Sequence, residues 1–198
     1  MKRVIICSPL FRVSKFDTHE TRVVNDFAKL LSVEYEVIVV KPVPVYSGLE
    51  WLLRRYFGWF LLLINGSIDL SSGDTGVTHV EGIKVHCIKY RRSFDRFIDK
   101  MDVENIGAII YGYRPDSVVF HWMLPSVFLA EELRNKYSIK SSAVVHELDP
   151  LNYLARYGLR AERLSAFNKI YARNEHIISK LGRYGEKSKV LHSYYERE

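Results

Sequence analysis

The sequence predicts a protein of the α/β class with a mostly parallel central sheet. Two observations carry this prediction. The run Lys2 to Cys7 is continuously apolar after a charged start, which is typical of a strand buried on both faces of a parallel sheet. The stretch Ser117 to Pro150 reads as strand, helix and strand, which is the unit from which parallel sheets are built.

Length and composition agree with a soluble globular protein. The 198 residues suit one domain spanning 1–198, and 47% of them are hydrophobic while 26% are charged. Cys7 and Cys87 both fall in apolar runs and are expected to be buried, reduced thiols, which favours a cytoplasmic location. No signal peptide and no apolar run long enough to span a membrane is visible.

The formal net charge of +6 fits a partner that bears phosphate, or an anionic membrane surface on the cytoplasmic side. Nucleic acid is not an expected partner, because the chain has no long Lys/Arg tract.

The first third of the chain predicts a β-loop-α-β unit. The first strand leads through a polar loop into a helix that ends near Leu31, and a second strand covers Tyr35 to Val40. Asp17 and Glu20 have the spacing of a capping box at the helix start. The segment Lys41-Pro42-Val43-Pro44 is expected to end the second strand.

Residues 48–66 mix bulky apolar side chains with arginines. One interpretation is a helix that packs on the core with its arginines in water. The other is a patch that lies on an anionic membrane or on a partner, since aromatic side chains beside arginines suit that surface. The residues of this candidate surface are Trp51, Arg54, Arg55, Trp59 and Phe60.

Val77 to Tyr90 is expected to form a hairpin, because Glu81-Gly82 separates two alternating runs. Phe94 to Tyr113 is expected to be helical, with its isoleucines near one face.

The stretch from Ser117 onward carries the main functional signal. The strand Ser117 to Phe120 delivers His121 and Trp122, a helix opens at Pro125, and the strand Ala143 to Val145 delivers His146. In a parallel sheet with right-handed crossovers both histidines lie at the carboxyl edge, which is where open α/β sheets bind ligands.

The remainder continues the alternation. Leu151 to Phe167 predicts one or two short helices, and Lys169 to Ala172 predicts a strand. Asn174 is placed to cap a helix through Leu181, and Lys189 to His192 is a last strand-like piece.

Several kinds of site are excluded. The chain has no G-x-G-x-x-G after its first strand, no Walker loop and no G-x-S-x-G elbow. His86 and Cys87 lack the partners of a zinc site, so no metal is expected.

His121-Trp122, then Pro125, then V-V-H-E-x-D over Val144 to Asp149, together resemble the N-terminal domain of GT-B glycosyltransferases of the retaining family 4 (group 1) type. The resemblance covers nearly the whole chain. It implies a Rossmann-like three-layer sandwich that forms one half of a GT-B fold. In that family this half holds the acceptor, a glycan or a lipid-linked sugar.

The same resemblance implies a hexosyltransferase-type enzyme with a nucleotide-sugar donor, without a further cofactor or an obligatory metal. A C-terminal donor-binding domain or subunit would be the essential partner, and this chain is not expected to transfer sugar alone. The chain departs from the family pattern at Pro9 to Asp17, which holds no glycine, and at Glu147, where glycine is common.

By resemblance, His146 is the candidate catalytic residue, since it matches the family histidine beside the reacting sugar. His121 either binds substrate or supports His146. Asp149 either accepts from an acceptor hydroxyl or forms a local turn, and Asn174 is best explained as a helix cap. The remaining candidate substrate-binding residues are Trp122, Glu147, Arg12, Lys15, Thr18, His19 and Arg173.

Two other functions stay open. One is a noncatalytic interaction or membrane-docking domain that uses residues 48–66. The other is a small-molecule-binding domain of flavodoxin-like fold.

Overall fold

The computed structural model describes residues 1–13, 22–45, 75–93 and 97–191. Within these ranges one sheet contains nine strands, eight of them in the spatial order β3-β4-β2-β1-β6-β7-β8-β9, while β5 pairs with β4. The strands are β1 (Arg3–Cys7), β2 (Glu36–Val45), β3 (Gly76–Val80), β4 (Ile83–Ser93), β5 (Phe97–Ile98), β6 (Ser117–His121), β7 (Ser141–Val145), β8 (Lys169–Ala172) and β9 (Ser188–Val190).

The described helices connect these strands. The α-helices are α1 (Arg22–Ser32), α2 (Lys100–Gly112), α3 (Ser126–Tyr137), α4 (Pro150–Arg156) and α5 (Glu175–Ser179). Two 3-10 helices, η1 (Ala161–Ala166) and η2 (Gly182–Lys187), precede β8 and β9.

The sheet is mostly parallel, as the sequence predicts, and it is also doubly wound. Every described pairing is parallel except β3 with β4 and β4 with β5. The chain moves from β1 to β2 in one direction, and from β6 through β9 in the other. The direction therefore changes between β1 and β6, and this point is the topological switch point of the sheet.

Two cores cover the two faces of the sheet. Ile5 and Cys7 belong to the larger core, which packs against α2, α3 and the later helices. Ile6 points to the opposite face and joins the smaller core beneath α1 with Val24 and Ala28. Because successive side chains of a strand alternate between faces, a strand paired on both sides and covered on both faces must be apolar throughout. This arrangement confirms the Rossmann-like three-layer sandwich.

The expected end of β2 at the prolines is wrong. The strand continues through Pro42 and Pro44 to Val45 and stays paired with β4 along its length. The carbonyl of Val40 accepts from the Ser8 N–H at 3.1 Å, so the backbone hydrogen-bonding groups of Val40 point toward β1. These groups alternate between the two sides of a strand, so the backbone nitrogens of Pro42 and Pro44 point to the same side as those of Val40. The ladder with β1 ends opposite Val40. The missing N–H groups of the prolines therefore fall where no ladder bond is lost.

The expected helix from Phe94 is also wrong at its start. Phe97 and Ile98 form β5 against β4, and α2 begins only at Lys100. Asp99 caps α2 by accepting from the Met101 N–H at 2.9 Å. The first N–H groups of a helix have no partner within the helix, and an aspartate side chain that accepts from one of them fixes the helix start at that aspartate.

The other expected elements are present, and two of them end earlier than the sequence predicts. The hairpin turns at Glu81-Gly82, and both of these residues have positive φ angles. The two short helices between Leu151 and Phe167 are α4 and η1. Asn174 caps α5, which ends at Ser179 rather than Leu181, because the chain tightens there into η2. The last strand in the described ranges is β9, which ends at Val190 rather than His192.

Cys7 and Cys87 are both buried and outside any disulfide, as expected. Within the described ranges, no helix combines the length and the apolar character that crossing a membrane requires.

Candidate functional site

Two histidines meet at the carboxyl edge of the sheet. His121 is the last residue of β6, and His146 follows the last residue of β7. Nδ1 of His121 lies 3.1 Å from Nε2 of His146, which is a hydrogen-bond distance, and the ring centroids are 5.3 Å apart. The sequence separates these residues by 24 others, and the parallel pairing of β6 with β7 brings them together.

Both imidazoles are held neutral. Burial, helped by the neighbouring His146, lowers the pKa of His121 from its ordinary value of 6.5 to about 3. Burial, together with the charge of Arg173, lowers the pKa of His146 to about 4. A neutral imidazole pair can hydrogen-bond an uncharged ligand without first losing a proton.

Trp122 covers one face of the His146 ring. The two rings are nearly parallel, with an interplanar angle of 16° and centroids 4.0 Å apart. The backbone of Trp122 has φ +67°, a left-handed conformation that costs a non-glycine residue about 1–2 kcal/mol. Its N–H still donates to the carbonyl of Val144 at 3.3 Å. The strained turn directs the indole ring over the histidine, and strain of this kind concentrates at functional sites.

Glu147 ties the two strand ends together. Its Oε1 accepts from the Met123 N–H at 3.0 Å, and its Oε2 accepts from the His146 N–H at 3.1 Å. Burial raises the pKa of this carboxyl group, and the hydrogen bonds from these backbone groups oppose that rise. Both carboxylate oxygens therefore accept hydrogen bonds from backbone N–H groups of the loops that carry Trp122 and His146.

The loop after β1 lies on the other side of the switch point. Arg12 and Asn25 form two hydrogen bonds: the Arg12 N–H donates to Oδ1 of Asn25 at 3.0 Å, and Nδ2 of Asn25 donates to the Arg12 carbonyl at 2.9 Å. Phe27 of α1 packs edge-on against His121, with ring centroids 4.9 Å apart. Helix α1 thus fixes the loop and also contacts the histidine pair.

Arg173, Asn174 and Asp149 also lie at this edge, after β8 and β7. Oδ1 of Asn174 accepts from the Ile177 N–H, and Oδ1 of Asp149 accepts from the Asn152 N–H, each at 3.0 Å. Both side chains therefore cap helices, which is the structural role that the sequence left open for them. Arg173 is exposed, and its positive charge contributes to lowering the pKa of His146.

Some sequence candidates lie outside the described residues. These are Lys15, Thr18 and His19 of the first loop, and Trp51, Arg54, Arg55, Trp59 and Phe60 of the candidate membrane or partner surface. Their assignments remain predictions.

Asn25 and Phe27 were not expected at the site. Asn25 is 9% exposed and lies on the buried stripe of α1 with Val24 and Ala28. A polar side chain on an apolar helical stripe needs a partner, and this signal was available in the sequence. The contact of Phe27 with His121 carried no such signal, because an apolar residue on that stripe looks like ordinary core.

Two surface clefts among the described residues lie elsewhere. One is at the amino edge of the sheet, where Arg3 is already paired with Glu36 at 2.7 Å. The other is lined by Arg163 and Glu131, which form an ion pair with each other. The described residues also contain no group of three or more His, Cys, Asp or Glu side chains placed to hold a metal ion. The histidine pair at the switch point is therefore the candidate site.

The sequence of this chain matches no protein-family profile. No curated protein sequence matches it either.

The fold, in contrast, is similar to a known one. The chain is similar to the apo structure of OtsA, a GT-B glycosyltransferase and trehalose-6-phosphate synthase, with a TM-score of 0.50 and 10% sequence identity. The similarity covers 96% of this chain and 48% of OtsA, so the chain spans about half the length of that enzyme. At this identity the likeness shows the fold alone, a Rossmann-like domain similar to part of a GT-B enzyme.

Proposed function

We propose that this chain is the acceptor-binding half of a retaining glycosyltransferase of the family 4 type. The complete enzyme would transfer a hexose from a nucleotide-sugar to a glycan or lipid-linked acceptor, without an obligatory metal. A donor-binding domain or subunit completes the cleft. The whole activity belongs to that assembly, and this chain contributes one wall of the cleft.

The observation that carries the proposal is the cluster of His121, Trp122 and His146 at the switch point. Open α/β sheets bind ligands in the crevice outside the carboxyl ends of their strands at such a point. The strained backbone of Trp122 and the neutral, buried histidine pair lie there together. The likeness of the fold to part of a GT-B enzyme supports the same assignment at a coarser level.

The proposed role of His146 follows from its protonation state. A neutral imidazole forms a hydrogen bond to a sugar hydroxyl without adding a full charge to the site. Because the ring is already oriented before the reaction begins, this hydrogen bond holds the sugar in place at no further cost of reorganisation. Trp122 and Glu147 restrain the ring plane and the backbone of His146, which fixes that orientation.

The test is sugar transfer by this chain together with its donor-binding domain. His146→Ala is expected to lower the transfer rate at least ~100-fold, which is typical of the loss of one pre-oriented hydrogen-bonding group at the reacting centre. His79→Ala is the matched control, since His79 is exposed on β3. Unchanged transfer by His146→Ala would remove this residue from the reaction.

A second experiment separates the two halves of such an enzyme. Sugar acceptors are expected to shift the backbone amide resonances of residues 121–123 and 145–147 in this chain, and nucleotide-sugars alone are not. The reverse result would assign this chain to the donor side.

The noncatalytic docking function is not favoured. It depends on residues 48–66, all of which lie outside the described residues. The likeness to a glycosyltransferase fold gives it no support.

A further inference from the structure

One ring nitrogen of His121 has a hydrogen-bond partner, and the other has none among the described residues. The residue is completely buried, and Nδ1 lies 3.1 Å from Nε2 of His146. Nε2 is also buried, and no described residue forms a hydrogen bond with it. Because both rings are neutral, only one proton lies between them, and one ring donates while the other accepts.

There are two ways to place that proton. If Nε2 of His146 donates, then Nδ1 of His121 accepts, and the second nitrogen of His121 carries an N–H in a buried position. If Nδ1 of His121 donates, then Nε2 of His121 is a bare acceptor, and His146 carries its own proton on Nδ1. The first arrangement buries a donor that no described group satisfies. Orphaned N–H groups are rarer in proteins than under-satisfied acceptors, because a buried donor loses its whole hydrogen bond to water.

We propose that His121 is a positioning residue whose Nδ1–H donates to Nε2 of His146, and so holds His146 in the tautomer that carries its proton on Nδ1. The surroundings keep the two rings in this geometry. Trp122 stacks on the His146 ring, Phe27 packs against the His121 ring, and Glu147 accepts from the backbone N–H of His146.

This tautomer decides what His146 recognises. Its Nε2 lone pair is occupied by His121, and its remaining ring nitrogen is a donor. The atom that it binds is therefore an oxygen with a lone pair, as in a sugar hydroxyl or a carbonyl, and the ring does not take a proton from a ligand. This step rests on the proposed function, whereas the tautomer itself does not.

Long-range ¹H–¹⁵N correlation spectra of the histidine-labelled protein test the tautomer directly. For both His146 and His121 we expect a pyrrole-like shift at Nδ1 and a pyridine-like shift at Nε2. A coupling across the hydrogen bond should identify Nδ1 of His121 as the donor. The ring resonances of His146 are assigned as those that disappear from the spectrum of His146→Gln.

Two variants of His121 separate positioning from a general structural role. His121→Asn keeps a donor near the position of Nδ1, and it should keep the single tautomer of His146. His121→Leu removes the donor and should move the Nε2 resonance of His146 toward the pyrrole-like range. A wild-type spectrum with a pyrrole-like Nε2 in His146 overturns the proposal. That spectrum decides the matter even if neither variant folds.

The two proposals fail in different ways. If the tautomer is found but His146→Ala leaves transfer unchanged in the assembled enzyme, the proposed function is wrong and the positioning role stands. If His146→Ala abolishes transfer but the spectrum shows the other tautomer, the function stands and the positioning role is wrong.

Discussion

Lowering the pH is expected to destabilise this protein through the histidine pair. The pKa of His146 is lowered to about 4 and that of His121 to about 3, against 6.5 for an unperturbed imidazole. A group whose native pKa is depressed contributes stability that is fully present above the unfolded pKa. That stability is lost as the pH falls from about 6.5 toward the native pKa.

The magnitude follows from proton binding. At pH 5 the unfolded chain has protonated both imidazoles, and the folded chain has protonated neither. Each histidine then costs about 2 kcal/mol of stability relative to pH 8, so the pair costs about 4 kcal/mol. The loss is a large share of the ~5–15 kcal/mol that stabilises a typical domain.

The assay is urea unfolding between pH 8 and pH 5, with the free energy of unfolding taken from the midpoint and the slope. His146→Gln offers an amide oxygen near the position of Nε2 but does not titrate, so its curve should be flatter than that of the wild type by about 2 kcal/mol over this range. The comparison between variants is required, because burial also lowers the pKa of His86 and raises that of Glu147. His79→Gln is the control for replacing an exposed histidine. Equal pH dependence in wild type and His146→Gln would refute the reasoning.

Two further predictions concern the loops around the histidines. Asn25→Ala should lower the free energy of unfolding by about 1–3 kcal/mol, since it leaves the Arg12 N–H and carbonyl without this partner. Urea unfolding measures this loss, with Asp26→Ala as the control because Asp26 is exposed on the same helix. An unchanged midpoint would show that the two hydrogen bonds between Asn25 and Arg12 do not stabilise the fold. Glu147→Ala should lower the free energy of unfolding by about 1–3 kcal/mol. It should also speed amide hydrogen exchange at Met123 and His146, whose backbone N–H groups both donate to the Glu147 carboxylate. Unaltered exchange at these two amides would show that the carboxylate does not hold the loops.

Much of the fold was predictable from local patterns. The run at Lys2 to Cys7 identified a central strand, and Glu81-Gly82 located the hairpin. Errors arose where tertiary pairing outweighed a local preference. Pro42 and Pro44 lie within a strand because their backbone faces a side without a ladder, and Phe97 and Ile98 leave the helical pattern to pair with β4. Neither outcome is readable without knowing the neighbouring strand.

The candidate site also has features that the sequence predicted and features that only the tertiary structure revealed. The sequence by itself determined that His121 and His146 end consecutive parallel strands, since alternation of strand and helix forces both to the same edge of the sheet. Only the tertiary structure decided that the two rings are in hydrogen-bond contact, that Trp122 stacks on His146, and that both oxygens of Glu147 act on the backbone. Strand order follows from periodicity, but contact between side chains depends on rotamers, loop conformation and burial, which are set by the packed surroundings.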